Sequence, residues 1–462
     1  MEIVRRLPTS VQHRSCPSGR PRAGSMIPSP HGGRLVTSQL SHAAADRVRA
    51  ELRDLPKLWP EPGQLMDAEM IGIGAFSPLE GFMDREVLDG VLRTSRLPNS
   101  LPWTVPVLLS PPGDRDRRTI QLLRPGDDVA LLDRDDRPIA VLHLREKFAL
   151  ERSRLAREVY RTTDLQHPNV AALGRTGDTN LAGSIDLVER LGSSVKRYEL
   201  TPEQSRSLFA SRHWSSVAGF QTRNVPHRAH EHLQRLTLER EDVDGLFIHP
   251  VVGQPKEGDY QPPIVLAAYE KLIENYLPAD RVVLGALPIA MRFAGARSAL
   301  FLAIVRKNFG CSHYIVGRDQ TGVGGFYDPY DCHRIFNELP VGVVPVRYQE
   351  AFYCRRCDAM TSQRTCPHPE NFHVTTSQSR IREAIKAGES PPSEILRPEI
   401  VSMLSRSEGV LVGPSPTGEL TPTSGEVEPR WPPVARRSLM DGVDGSLPRS
   451  RTTRAATLVK PA

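Results

Sequence analysis

Short apolar runs separated by turn residues give way, about halfway along the chain, to longer apolar runs that alternate with helical patterns. The first part carries β-type runs at residues 104–109, 119–122, 129–132 and 139–144. The second part carries strand patterns at 216–220, 245–252, 281–287 and 313–316, and helical patterns after 233 and at 264–276 and 298–309. Regular alternation of strand and helix predicts a parallel, doubly wound α/β sheet. We therefore predict a small β-rich barrel domain followed by a Rossmann-like α/β domain.

A polar cluster, Gln-Thr-Arg-Asn-Val-Pro-His-Arg-Ala-His-Glu at residues 221–231, lies between the first strand of the second part and a helix. Helix N-termini attract anions through unpaired N–H groups and the positive end of the dipole. Pro226 suits the first helical position, Arg223 offers a planar fork for two anionic oxygens, and His227 and His230 share one helix face. The pattern predicts a triphosphate site. A surface turn with a core histidine is the alternative, which six polar residues in one turn disfavour.

A second glycine-rich loop, Gly-Arg-Asp-Gln-Thr-Gly at residues 317–322, follows the strand pattern at 313–316. Ligands of doubly wound sheets bind at the carboxyl ends of the strands. Two arginine-bearing loops after strands of one sheet therefore predict one shared anion site. Arg292 follows another strand. It is either a third contact to phosphate or an arginine exposed to solvent, and we give the two interpretations equal weight.

These segments resemble the motifs of the ATP sulfurylase (sulfate adenylyltransferase) family, QxRN and HxxH at 221–230 and GRDH at 317–320. The resemblance extends over roughly residues 28–405 and implies a PUA-like N-terminal domain and a nucleotidylyltransferase domain. It implies that ATP and sulfate form adenosine 5′-phosphosulfate and pyrophosphate in sulfate assimilation, with Mg²⁺ accompanying ATP. This chain departs from the family's pattern at Val225, Gln320, Thr321 and Gln378.

The resemblance also implies roles for individual residues. Thr222, Arg223 and Asn224 are the expected catalytic residues. The expected ATP-binding residues are Gln221, Thr222, Arg223, Asn224, His227, His230, Gly317, Arg318, Asp319 and Gln320. Sulfate is expected to contact Gln221, Arg223 and Thr321.

Three of the six cysteines cluster as Cys354, Cys357 and Cys366, and His368 and His373 follow closely. A CxxC pair followed by a cysteine and a histidine predicts a four-ligand, structural zinc site. We expect His373 to be the fourth ligand and leave His368 open, with free thiols as the alternative. Unpaired cysteines in this arrangement favour a reducing compartment, and we expect the cytoplasm.

The net charge of +6 lies in the two ends of the 462-residue chain, with +4 in residues 1–25 and +2 in residues 413–462. A basic pI therefore gives little support to nucleic-acid binding, and the sequence has no apolar run long enough to span a membrane. The expected domains are a disordered extension at 1–25, the PUA-like domain at 26–195, the catalytic domain at 196–347, a zinc-binding and helical region at 348–412, and a disordered tail at 413–462. Met26 is an alternative start.

Other interpretations stay open at this point. One is a nucleotidylyltransferase with another acceptor, and another is a non-catalytic homologue stabilised by zinc, which the changes at Gln320, Thr321 and Gln378 motivate. A third, nucleic-acid binding through the basic ends, lacks the aromatic residues that stack on bases. The sequence leaves the direction of flux open, and also whether the chain forms a homo-oligomer.

Overall fold

The computed structural model describes residues 27–413 of the chain. Our expectations for residues 1–25, for a start at Met26 and for the tail beyond 413 lie outside the described residues. Within residues 27–413, no helix combines the length and apolar character that a membrane crossing requires.

The first half of the described chain folds around a five-stranded sheet flanked by helices. Its strands are β1 (Lys57–Leu58), β2 (Gly81–Phe82), β3 (Asp128–Leu132), β4 (Pro138–Ala149) and β5 (Thr179–Leu187). Its helices are α1 (His42–Glu51), α2 (Pro62–Gly72), α3 (Arg85–Thr94), α4 (Asp114–Leu122), α5 (Arg152–Leu155), which continues into a π-helical turn (Ala156–Tyr160), and α6 (Pro168–Leu173). The strand order is β1-β3-β4-β5-β2, and every pair except β1–β3 is antiparallel. The predicted strands at 129–132 and 139–144 are confirmed.

The predicted strand at 119–122 is wrong, because these residues form the end of α4. Ile120 and Leu123 are both buried, and their three-residue separation is a helical spacing rather than a strand spacing. The N-terminal half is therefore mixed α and β rather than β-rich. Its described strands contain no β1–β2 ladder that would close a barrel.

The predicted strand at 104–109 is also wrong, although the segment is deeply buried. Pro102 and Pro106 lack the N–H that a ladder needs. The segment instead supplies side chains to the core: the Trp103 ring packs edge-on against Phe301, with ring centroids 5.5 Å apart. The apolar residues of this run reflect its burial in the core and not a place in a sheet.

The second half contains a five-stranded sheet in which all pairs are parallel. Its elements are α7 (Pro202–Ser211), β6 (Val217–Phe220), α8 (Arg228–Leu238), β7 (Gly245–Ile248), α9 (Pro262–Tyr276), β8 (Val282–Leu284), α10 (Ala296–Asn308), β9 (His313–Val316), α11 (Asp331–Glu338) and β10 (Val344–Arg347). The strand order is β10-β9-β6-β7-β8. The chain therefore reverses its direction of winding between β6 and β9, which is the arrangement of a doubly wound sheet. The predicted parallel α/β sheet is confirmed.

Helix α10 lies in the core between the two halves, and its residues from Ser298 to Arg306 are buried. Asn308, at its end, donates from its side-chain amide to the carbonyl oxygens of Ala75 and Ser77 at 3.0 Å. These bonds are buried, and they satisfy carbonyl oxygens that lie outside the strands. They therefore tie the N-terminal half to the helix that packs on the parallel sheet.

The C-terminal part is a small antiparallel sheet followed by two helices. The elements are β11 (Ala351–Cys354), β12 (Ala359–Ser362), β13 (His373–Thr375), α12 (Gln378–Lys386) and α13 (Pro398–Arg406), with strand order β12-β11-β13. Ile400 and Leu404 of α13 belong to the same apolar core as Tyr269 and Leu272 of α9. This packing holds α12 and α13 against the parallel sheet.

Candidate active site and metal centre

The turn that leaves β6 is closed by its own side chains. The Thr222 hydroxyl accepts the backbone N–H of Asn224 at 3.1 Å, which is a local bond that fixes turns. The backbone N–H of Val251 donates to the carbonyl oxygen of Thr222 at 2.7 Å. The turn is therefore anchored to the end of β7 as well as to β6, and Gln221 and Arg223 extend from a fixed backbone.

Helix α8 begins at Arg228 rather than at Pro226, where we predicted its first position. The reason is that His227 acts as the N-cap: its ring nitrogen Nδ1 accepts the backbone N–H of His230 at 3.2 Å. This is the bond that a capping side chain makes to the third helical residue. The positive end of the α8 dipole consequently lies at His227, next to the turn.

The rings of His227 and His230 stack with their centroids 3.7 Å apart and 14° between their planes. Burial lowers the pKa of His230 to about 4. Burial and the nearby charge of His230 hold the pKa of His227 well below its ordinary value. Both imidazoles are therefore neutral near pH 7, and they can contact a phosphate by hydrogen bonds but not as cations.

The glycine-rich loop after β9 meets the first turn at the point where the sheet reverses. The Gln320 side-chain amide donates to the Tyr314 hydroxyl at 2.9 Å, and the same nitrogen lies 3.5 Å from Oε1 of Gln221. The N–H of Asp319 donates to the carbonyl of Pro329 at 2.7 Å. These contacts give the loop a defined position, with Gln320 facing Gln221 across the site.

Thr321 is buried and adopts a left-handed backbone conformation, with φ of +64°. This conformation is unfavourable for a β-branched residue and occurs where other contacts impose it. Here the Thr321 hydroxyl lies 2.7 Å from the carbonyl oxygen of Gly295 and 2.5 Å from that of Gln320. Its single proton is thus shared between carbonyl groups, which leaves none for an anion.

Both loops line one cavity of about 580 Å³, a size that suits a small-molecule ligand. The structure brings together in its wall every residue that the sequence predicted for ATP and sulfate: Gln221, Thr222, Arg223, Asn224, His227, His230, Gly317, Arg318, Asp319, Gln320 and Thr321.

Three residues that the sequence did not predict also belong to this region. Arg382 of α12 donates from Nη1 to Oδ1 of Asn224 at 3.1 Å. Arg223 donates from Nη1 to Oδ1 of Asp259 at 2.7 Å. Gln378 donates from its amide to the carbonyl oxygen of Val225 at 3.0 Å. Gln378 stood out in the sequence only as a departure from the family's pattern, and only the tertiary structure places it and Arg382 against a turn some 150 residues earlier.

Arg292 satisfies neither of the two interpretations that we weighed for it. Its guanidinium pairs with the carboxylate of Asp67 from α2, and both side chains are largely buried. The pKa of Asp67 is raised, with burial the largest cause and the charge of Arg292 opposing it. Arg292 therefore joins the two halves of the molecule instead of lining the large cavity.

A second candidate site lies on the small C-terminal sheet, where Cys354, Cys357, Cys366 and His368 converge. Nδ1 of His368 lies 3.2 Å, 3.5 Å and 3.8 Å from the sulfur atoms of Cys357, Cys354 and Cys366, and the sulfurs of Cys357 and Cys366 are 3.8 Å apart. Zn–S bonds of about 2.3 Å in a tetrahedron require sulfur atoms about 3.8 Å apart. The three thiolates and one imidazole thus fit a closed, four-coordinate zinc ion.

The fourth member of this cluster corrects our expectation of His373. Nε2 of His373 lies 3.4 Å from the sulfur of Cys366, but its ring stacks on Phe352 with centroids 3.9 Å apart. The short segment from Cys366 to His368 instead places Nδ1 of His368 within 3.8 Å of all three sulfur atoms. His373 pairs in register with Cys354 as part of β13, and it adjoins the cluster without completing it.

Comparison with known proteins identifies both halves of the chain. Residues 28–190 match the model of a PUA-like domain, and residues 196–407 match the ATP-sulfurylase model. A solved structure described as a hexameric APS kinase from Thiobacillus denitrificans superposes with a TM-score of 0.64 at 25% identity, covering 83% of this chain and 69% of that one.

Relatives with curated names agree over most of the chain. The sulfate adenylyltransferase of Hyperthermus butylicus is 43% identical over 380 residues, which cover 82% of this chain and 96% of that protein. The sulfate adenylyltransferase of a Synechococcus species is 42% identical over 389 residues, covering 83% and 97%. With a site built from the matching motifs and relatives this similar over nearly their whole length, the chain belongs to the ATP sulfurylase (sulfate adenylyltransferase) family.

Proposed function

We propose that this protein is a sulfate adenylyltransferase that forms adenosine 5′-phosphosulfate and pyrophosphate from ATP and sulfate. The observation that carries the proposal is the meeting of two arginine-bearing loops in one cavity at the point where the parallel sheet reverses. Arg223 and Arg318 contribute cations to that cavity, and the N-terminus of α8 borders it. Family membership supplies the reaction, and the cavity supplies a place for two anions to meet.

In this reaction a sulfate oxygen attacks the α-phosphorus of ATP. The new O–P bond forms as the bond from the α-phosphorus to the bridging oxygen breaks, and the electron pair leaves with pyrophosphate. The protein forms no covalent bond, so it contributes position and charge. Mg²⁺ enters with ATP and neutralises part of the phosphate charge.

We assign the anionic centre to the turn after β6. Gln221 and Arg223 bind sulfate, and Thr222, Arg223 and Asn224 contact the phosphates and the charge that develops between them. His227 and His230 hold the leaving pyrophosphate as neutral hydrogen-bonding groups. This assignment follows from the fixed backbone of the turn and from the low pKa values of the two rings.

We assign the nucleotide side to the loop after β9. Gly317, Arg318 and Asp319 cover ATP, and Gln320 contacts the nucleotide through its amide. Thr321 borders sulfate as a steric wall rather than as a donor, because its hydroxyl proton is taken by carbonyl oxygens. The substitution of glutamine and threonine in this loop therefore changes the shape of the pocket without removing its arginine.

In this proposal Zn²⁺ is held by Cys354, Cys357, Cys366 and His368 and supplies a structural cross-link. The ligand thiols must stay reduced to hold the metal, and cysteines stay reduced in the cytoplasm, which we therefore propose as the compartment. A homo-oligomer is also part of the proposal, since the structural relative is described as a hexamer.

The exchange of labelled pyrophosphate into ATP tests the proposed function. The purified protein should catalyse this exchange only when sulfate is present, and mass spectrometry should detect the adenylyl sulfate product. Exchange without sulfate, but with a different acceptor supplied, would indicate another acceptor. No exchange, with ATP still bound, would favour the non-catalytic interpretation.

A further inference from the structure

The arginine at the centre of the site is held by a carboxylate that stands outside the large cavity. Asp259 lines a smaller cavity of about 180 Å³, which shares Arg223 and Phe293 with the larger one. Oδ1 of Asp259 accepts from Nη1 of Arg223 at 2.7 Å, and the Arg223 guanidinium lies 5.1 Å from the centre of the Phe293 ring. Asp259 therefore contacts Arg223 from the side of the smaller cavity.

The same carboxylate oxygen also receives a second guanidinium. Nη1 of Arg382 lies 3.4 Å from Oδ1 of Asp259 and 3.1 Å from Oδ1 of Asn224. The other oxygen, Oδ2, accepts the backbone N–H of Lys256 at 3.3 Å. The Asp259 side chain is only 11% exposed, so its three contacts fix both its position and its rotamer.

Two guanidinium groups that meet on one oxygen repel each other, and a single carboxylate offsets this repulsion. Without it, Arg223 and Arg382 would move apart and rotate toward solvent. The planar fork of an arginine grips two anionic oxygens only in the correct orientation. The carboxylate therefore maintains the geometry on which sulfate binding depends.

We propose that Asp259 is a positioning residue, which orients Arg223 directly and Asn224 through Arg382 for the attack of sulfate on ATP. This inference rests on the proposed function. It assigns to α12 a part in the site, because Arg382 comes from that helix and not from the parallel sheet. Asp259 contacts neither substrate and acts only through the side chains that it holds.

The charge of Asp259 gives this role a kinetic signature. A negative charge beside an anion site opposes the binding of sulfate, while its hydrogen bonds favour the productive orientation. Asp259→Asn keeps the shape but removes the charge and weakens the bonds to both arginines. We expect the KM for sulfate to be unchanged or a few-fold lower, and kcat to fall on the order of 10- to 100-fold, as a displacement of about 1 Å of a reacting group can cause.

The experiment compares steady-state kinetics of the full chain with those of Asp259→Asn, Asp259→Glu and a matched control, Asp244→Asn. Asp244 is also partly buried, and its carboxylate accepts the N–H groups of Ser215 and Ser216, at the other end of β6. Asp259→Glu should restore part of kcat because it returns the charge. Asp244→Asn should change both constants little in the folded protein.

A double variant, Asp259→Asn with Arg382→Gln, keeps the test decisive if the single variant does not fold. It removes one negative and one positive charge, so the two arginines no longer repel each other, but Arg223 still lacks its carboxylate. A kcat of the folded double variant below that of Arg382→Gln alone supports the proposal, and a kcat equal to that of Arg382→Gln alone overturns it. An unmodified chain without sulfate-dependent exchange overturns the proposed function itself.

Discussion

Replacement of Arg223 by alanine tests the centre of the proposed mechanism. Sulfate and the α-phosphate are both anions, so they repel each other most as the new bond forms. A fixed cation between them offsets that repulsion in the transition state more than in the ground state. Arg223 is fixed in this way, by the 2.7 Å bond to Asp259 and by the ring of Phe293.

The expected loss of transition-state stabilisation is about 3–4 kcal/mol, or a rate lower by about 10² to 10³, as for the loss of one preorganised donor. The folded state should lose less. The Arg223 side chain is 23% exposed, and Asp259 retains Arg382 as a partner. We therefore expect the free energy of unfolding to fall by about 1–2 kcal/mol, between the values for exposed and buried ion pairs.

The assay is sulfate-dependent exchange of labelled pyrophosphate into ATP, with ATP affinity measured separately by equilibrium binding. Arg223→Lys keeps the charge without the fork and should also be impaired. Arg240→Ala is a matched control, since Arg240 pairs with Asp242 beyond the end of α8. Exchange by Arg223→Ala at the rate of the unmodified chain, at equal sulfate, would refute the role of this residue.

Three further predictions concern the metal, the pH dependence and the ends of the chain. The purified protein should hold about one zinc ion, and Cys357→Ser should lower its melting temperature more than its affinity for ATP; metal analysis without zinc contradicts this. The pKa of His230 is about 4 in the folded protein, below the ordinary value of 6.5, so the unfolded chain binds more protons between these pH values. The contribution of this group should thus lower the free energy of unfolding by about 2 kcal/mol between pH 7 and pH 5. Denaturant titration should show that the free energy of unfolding depends less on pH in His230→Gln than in the unmodified chain. An equal pH dependence in the two proteins contradicts this prediction. A shortened chain of residues 26–412 should remain soluble with unchanged kcat, since it retains the bond between Gly258 and Val412; lost activity would show that the ends matter.

A comparison of the predicted and observed strands and helices shows which of them follow from the local sequence. The strand at 313–316 and the alternation around it were predicted correctly, because a short buried strand carries a continuous apolar run bounded by turns. The runs at 104–109 and 119–122 carry similar residues, yet one lies extended in the core without a ladder and the other is helical. Apolar content reports burial, and the choice between strand and helix was made here by prolines and by the spacing of buried positions.

The sequence by itself determined the two loops of the site and the cysteine cluster, since each is a contiguous motif whose residues stay together in any fold. Only the tertiary structure decided what surrounds them. It brought Asp259 and Arg382 onto Arg223, and it placed His368 rather than His373 on the three sulfurs. It also buried the guanidinium of Arg306, which donates to the carbonyl oxygen of His249. These contacts join positions far apart in the chain or choose between neighbouring side chains, and such choices depend on packing and charge in three dimensions.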